Sequence, residues 1–139
     1  MAEQGFEDLQ CYKLALDVLK ETYALAKRLP AVERYNLADQ MRRSATSVTL
    51  NIAEGYGRYH YLDSLRFYYI ARGSLTETLS ALVSCQAVGY VDEAELSRLR
   101  QLISSALRTL NGYIRYVRKQ RQGHQEFGTK LLPKDRTPP

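Results

Sequence analysis

An almost uninterrupted period of three and four residues limits what this chain can become. Leu96, Leu99, Ile103, Ala106, Leu110, Tyr113 and Val117 alternate those steps throughout, which puts all seven on one stripe of a helix. Three other segments repeat the pattern. Leu9, Tyr12, Leu16, Leu19, Tyr23 and Ala26 predict a first helix. Pro30 stops it, because proline lacks the donor and clashes with the preceding turn. Leu37, Met41, Ala45, Val48 and Ile52 predict a second helix, N-capped by Asn36 and ending at Gly55, where Gly55 and Gly57 suit a C-cap and a reversal. The third is expected from about Leu62 to Val88, with Tyr68, Ala71, Leu75, Leu79 and Leu82 inward, Leu65, Tyr69 and Ile70 widening the apolar face, and Gly89 as the stop. Asp92 is placed to cap the fourth, with Glu93 and Glu95 against the dipole of its first turn. No alternating pattern competes for a strand. Long helices on short links predict an all-α, antiparallel up-down-up-down four-helix bundle over residues 1–118. A polar, basic tail over 119–139 is expected to be flexible.

Length and charge narrow the function classes. The 139 residues suit one domain. No apolar run is long enough for a membrane span, and the acidic start MAEQGFEDLQ does not resemble a secretory signal. Cys11 and Cys85 stand far apart, so free thiols and a cytoplasmic setting are expected. Charge is uneven. Residues 98–139 hold ten basic and two acidic side chains, whereas residues 1–97 hold ten and thirteen. Arg108, Arg115, Arg118, Lys119 and Arg121 therefore form the candidate nucleic-acid-binding set, able to displace counterions from phosphates, although a charge run also serves as a plain solvated face. Eleven tyrosines and no tryptophan are present. Tyr56, Tyr59, Tyr61, Phe67, Tyr68 and Tyr69 could stack on unpaired bases. Packing is the better reading for Tyr68 and Tyr69.

Catalysis finds little support. There is no GxSxG, HExxH or P-loop, and Gly55-Tyr56-Gly57 lacks the strand and third glycine of a dinucleotide fingerprint. His60 and His124 are too few and too separated for a metal site, so no metal or cofactor is expected, and His60 reads as a surface or interface residue in a turn. Ser47, Asn51 and Glu54 share a helix face. Asn51 and Glu54 are expected in a buried polar network, bonded to helix ends, Arg guanidinia or the neighbouring glycine turn, because buried polar groups must be paired. A lone carboxylate at Glu54 makes a poor catalyst.

The stretch Gln40-Met41-Arg42-Arg43-Ser44-Ala45-Thr46-Ser47-Val48, followed by Asn51-Ile52-Ala53-Glu54-Gly55-Tyr56-Gly57-Arg58, resembles the signature of the "four helix bundle protein" family, first noticed as reading frames within intervening sequences of bacterial ribosomal-RNA genes. Phe6-Glu7-Asp8-Leu9 and Ala71-Arg72-Gly73-Ser74-Leu75-Thr76-Glu77 support the match. Arg43, Asn51, Glu54, Gly55, Gly57 and Arg58 are the structural motif residues. The family is similar to the accessory variability determinant of diversity-generating retroelements, a basic pentameric barrel that binds nucleic acid and a reverse transcriptase. The resemblance implies a ring-shaped homopentamer that binds RNA or DNA and has no established enzymatic activity. Ala71, Gly73 and Ser74 suit close helix contact beyond one bundle. The expectation is a non-enzymatic, oligomeric accessory protein binding nucleic acid, RNA foremost. The alternative is a protein-interaction scaffold, such as a partner of a reverse transcriptase.

Overall fold

A computed structural model of the chain describes residues 5–130. Four long helices dominate: α1 (Gln10–Arg28), α2 (Leu37–Tyr56), α3 (Tyr61–Ala87) and α4 (Glu93–Gln120). A single-turn helix, α5 (His124–Phe127), follows them, and 3-10 turns occupy Phe6–Asp8 and Ala31–Glu33. Each long helix packs on its neighbours in a closed cycle, α1 on α2, α2 on α3, α3 on α4 and α4 on α1. Paired contacts show the helices antiparallel. Met41 meets Cys85 while Ser47 meets Ser74, and Tyr68 meets Tyr113 while Arg72 meets Asn111. Among the described residues no strand forms, and no helix is long and apolar enough to cross a membrane.

The helix ends follow local chemistry. α1 stops at Arg28, two residues before Pro30. The Asp92 carboxylate accepts from the Glu95 amide at 2.8 Å and caps α4 as expected. Gly89, at φ +85°, closes α3 with two bonds, Tyr90 N–H to Cys85 O and Gly89 N–H to Gln86 O, the pairing of a Schellman motif. Asn36 departs from expectation. Its side chain makes no cap and instead donates to Glu33 Oε1 at 3.0 Å. That same oxygen lies 3.5 Å from the Leu37 amide, and Tyr90 donates to Glu33 Oε2 at 2.8 Å. A carboxylate has acceptor sites for all three, and the Tyr90 bond, then that of Asn36, holds the Glu33 carboxyl below its ordinary range.

The core corrects the expected stripe of α1. Cys11, Ala15, Val18, Thr22 and Leu25 are buried, while Tyr12, Leu16 and Leu19 are half-buried and Tyr23 is exposed. Neighbouring faces of one helix share the same three-and-four spacing, so spacing does not separate them. The inward face uses smaller side chains, which leaves room for two flanking helices. In α2, α3 and α4 the expected inward stripes are buried or packed against the core, but Tyr69 and Ile70, expected to widen the apolar face of α3, are exposed instead.

The interface of α2 and α3 is small and polar at its centre. Thr78 Oγ1 lies 2.8 Å from Ser44 Oγ, whose own hydrogen goes to Met41 O. Ser47 and Ser74 hydroxyls meet at 2.8 Å, so Ser74, like the fully buried Ala71, packs within this bundle rather than beyond it, and of the three small residues expected to reach outside only Gly73 is exposed. Gly55 lies inside α2 and is buried; a Cβ there would stand 2.5 Å from the Tyr68 ring and 3.0 Å from Ser64 O. The expected C-cap role of Gly55 therefore gives way to close helix packing. Gly57 takes the C-cap position, with helical angles (φ −75°, ψ −6°) rather than a positive φ.

The chain does not become a flexible tail at Lys119. α4 continues to Gln120, Arg121 turns the chain in the left-handed region (φ 51°), and α5 folds back on the start of α3. Gln122 O accepts from the Tyr61 amide at 2.9 Å. Gly123, at φ +83°, approaches so closely that a Cβ would lie 3.2 Å from His60 Cα. His60 is only 1% exposed, not a surface residue. Its Nδ1 accepts from the Leu62 amide and caps α3, and its Nε2 lies 3.0 Å from Gly128 O. Those two partners require the neutral tautomer with the proton on Nε2. Phe127 packs edge-on against both His60 and Tyr59. The tail expected over 119–139 is thus folded at its start, and residues 131–139 lie outside the described residues.

Candidate nucleic-acid interface

Antiparallel packing gives each end of the bundle its own set of charged side chains. One end gathers the C-terminal turn of α1, the start of α2 and the start of α4; there Glu95 pairs with Arg28 and Glu21 with Arg98, beside further cations at Arg34, Arg42 and Arg43. The opposite end gathers the end of α2, the start of α3 and the end of α4. There Arg58, Arg66, Arg115, Arg118, Lys119 and Arg121 collect beside Tyr56, Tyr59, Tyr61 and Tyr116.

The five basic residues expected to act together divide into two groups. Arg108, Arg115 and Lys119 are spaced i, i+7 and i+11, so they form an outward strip on α4. All three are exposed or nearly so, and Arg108 donates to Ser105 Oγ at 3.3 Å. Arg118 and Arg121 turn toward α3. They line a groove of about 580 Å³ together with Arg66, Leu62 and Tyr69. The Arg121 guanidinium also lies 3.2 Å from the His124 ring.

Arg66 and Arg72 join this surface, although the charge run in the sequence does not include them. Arg72 stacks 5.0 Å from the Tyr69 ring centroid and donates to Asn111 Oδ1 at 3.3 Å. Arg66, Tyr69 and Arg72 recur at steps of three, which aligns them along α3. That interval, basic–aromatic–basic, is the signal that could have found them. Tyr69 is 38% exposed, so its reading as a packing residue needs correction. Tyr68 is 1% exposed and fits it.

The motif residues work around the α2–α3 corner. Arg58 pairs with Glu54 and with Asp63, and its guanidinium lies 4.7 Å over the Phe67 ring. Asp63 is nearly buried between Arg58 and Arg66, each 3.5 Å away. Its Oδ1 makes no well-aligned hydrogen bond, so the two guanidinia hold it by charge more than by directed bonds. Glu54 is half-exposed and pairs with Arg58 at the surface, so it is not part of a buried network. It stands in the last turn of α2 beside Gly55, which faces α3 and is buried, while its own side chain is exposed and reaches Arg58. Asn51 is half-buried and donates to Ser47 O at 2.8 Å, beside the Ser47–Ser74 pair. Arg43 has an exposed side chain and lies 3.6 Å from Asp39.

Across α4 from the arginine groove lies a second cavity, of about 630 Å³, at the same end. Tyr68 forms its floor, Tyr113 meets Tyr68 edge-on at 5.3 Å, and Tyr116 stacks on Tyr113 at 6.0 Å. Burial raises the Tyr68 and Tyr113 phenols above their ordinary range. Tyr59 donates to Glu126 Oε1 at 2.9 Å, a bond that raises its phenol too. Among the described residues no cluster of His, Cys, Asp and Glu could hold a metal ion.

No curated protein matches the chain. The sequence model of the 23S rRNA-intervening sequence protein family matches residues 7–112, from the turn before α1 to the latter half of α4, and so covers the whole α2–α3 corner with its Asn51, Gly55 and Arg58. This chain belongs to the 23S rRNA-intervening sequence protein family.

Proposed function

We propose that this chain is a non-enzymatic, oligomeric accessory protein of the cytoplasm that binds nucleic acid, RNA foremost, through the basic end of its bundle. The observation that carries this reading is the convergence of Arg66, Arg118 and Arg121 around Tyr69 in one groove. Cations on adjacent helices can follow a phosphate backbone, and the ring offers a stacking face. The family name refers to an intervening sequence of 23S rRNA and states no partner.

The assembly is proposed as a ring-shaped homopentamer, an implication of the motif resemblance. Leu50 is 63% exposed and Ile70 48%, and Leu16 and Leu19 are only half-buried on the outer face of α1. Such apolar surface suits subunit contact. Light scattering should return about five copies; a monomer of 15.9 kDa at micromolar concentration would overturn the ring.

A salt titration of fluorescent single-stranded RNA tests the binding. Arg115, Arg118 and Lys119 take part in no ion pair among the described residues, so replacing them with Gln removes charge without breaking a pair. Each lost phosphate contact flattens the slope of log K against log salt by about 0.7, or about 2 for the triple variant. Binding should weaken alike for unrelated sequences. Equal affinities and slopes for the two proteins would reject the basic end and favour a protein-interaction scaffold.

A further inference from the structure

The tyrosine-lined cavity is chemically unlike the arginine groove. Its lining includes Tyr56, Tyr59, Tyr61, Tyr113 and Tyr116 with the amides of Gln120 and Gln122 and, among the described residues, no carboxylate. The cation in that lining is Arg58, already committed to Glu54 and Asp63. A volume of about 630 Å³ falls in the range of about 300–1,000 Å³ usual for small-ligand sites. Aromatic faces set beside amide and hydroxyl groups match a flat heterocycle with donors and acceptors on its edge. They do not match a phosphate, which would need free cations.

Position ties the cavity to the groove. Tyr61 lines both. On α4 the order around the helix is Tyr116, then the Lys119–Arg115 strip, then Arg118, because each successive residue of a helix is turned by about 100°. A strand whose phosphates leave the groove at Arg118 meets Arg115 and Lys119 next and Tyr116 after that. Tyr68, Tyr113 and Tyr116 form a series of ring contacts from buried floor to exposed rim, with Tyr116 55% exposed.

We infer that this cavity receives one unstacked base of a single-stranded RNA, stacked on Tyr116 and read at its edge by Gln120 and Gln122, while the phosphates on either side follow the Arg115–Lys119 strip. The inference rests on the nucleic-acid reading above and adds the ligand class: an unpaired nucleobase rather than duplex backbone. Single strands are recognised in this way because their bases can splay onto aromatic side chains.

The test separates base from phosphate. Wild-type protein is titrated with a single-stranded RNA and with an abasic RNA of equal length, which keeps every phosphate. The intact RNA should bind on the order of tenfold tighter, in line with stacking of one base. Tyr116→Leu and, separately, Gln120→Ala should shrink that ratio severalfold, to what stacking on Tyr69 alone supplies, while leaving the salt slope unchanged. Either exposed position can be replaced without opening the core, so a folding defect in one variant leaves the other to decide. Equal affinity for the two RNAs, or a ratio that survives both substitutions, overturns the base site and leaves phosphate binding standing. Failure of the wild type to bind either RNA overturns both.

Discussion

Gly55 and Gly57 are two residues apart in one motif, and the structure assigns opposite signs to the same substitution at each. At Gly55 a new Cβ would lie 2.5 Å from one Tyr68 ring carbon, 2.9 Å from the next and 3.0 Å from Ser64 O. The ring cannot retreat easily, because Tyr68 is 1% exposed and abuts Tyr113. Alanine gains about 1 kcal/mol of helix propensity over glycine. Overpacking a tight core costs about 1–3 kcal/mol, with backbone on one side here and a pinned ring on the other, which places the cost in the upper part of that range. Steric crowding outweighs the propensity gain, for a net loss of about 1–2 kcal/mol. At roughly 3–5 °C per kcal/mol for a chain of this size, Gly55→Ala should lower Tm by roughly 3–10 °C. At Gly57 the angles are helical, and a Cβ would meet only Glu54 O at 3.5 Å and Ala53 O at 3.7 Å. Those are ordinary contacts, so Gly57→Ala should raise stability by about 0.4–1 kcal/mol through the unfolded chain. Thermal melts followed by circular dichroism, at one fixed protein concentration because assembly shifts Tm, read both. A Gly55→Ala protein as stable as wild type, or equal losses at the two positions, would refute this account of the corner.

Three other outcomes are expected. Glu54→Gln should change stability by less than about 0.5 kcal/mol, as for an exposed pair, whereas Asp63→Asn, which leaves Arg58 and Arg66 facing each other at a nearly buried site, should cost about 1–3 kcal/mol; denaturant melts compare them. His60→Ala removes the α3 cap and the bond to Gly128 O, at about 1–3 kcal/mol, and hydrogen exchange should show the α5 amides losing protection first. Burial pushes the Cys11 and Cys85 thiols up to about 11. A raised thiol holds its proton where the unfolded one ionises, so its contribution is complete below about pH 8.5 and is lost as pH rises through about 11. Tm should fall across that alkaline window, and thiol reagents at about pH 8 should label native protein slowly and unfolded protein fast.

The bundle is legible in the sequence because its signals are local. Periodicity, Pro30, Gly89 and the Asp92 cap each act within a turn or two, and together they set helix number, order and ends. What the sequence hides depends on partners distant along the chain. Whether Leu16 or Ala15 faces inward is decided by how closely α2 and α4 approach α1. Gly55 is explained only by the Tyr68 ring on the next helix, which is why in isolation it resembles a cap. Glu54 shares a face with Asn51, yet its long side chain turns outward to the Arg58 guanidinium at the surface instead of in toward α3. His60 and the residues after Gly123 gain their roles from each other, across more than sixty positions. The basic site is half legible. Its α4 cations stand out as a run, while Arg66 and Arg72 are separated on α3 and acquire meaning only beside Arg118 and Tyr69.

Ultraviolet cross-linking of single-stranded RNA to the full chain, with the modified peptides identified by mass spectrometry, tests most directly whether the basic end is the nucleic-acid surface. Exposure alone would favour Tyr35, which is 86% exposed at the other end of the bundle, over Tyr116 at 55% and Tyr69 at 38%. If the groove and the α4 strip hold the strand, adducts fall on the peptides carrying Tyr69 and Tyr116, and the Tyr35 peptide stays unmodified. Adducts concentrated at Tyr35, or no adducts under conditions that saturate binding, would contradict the account.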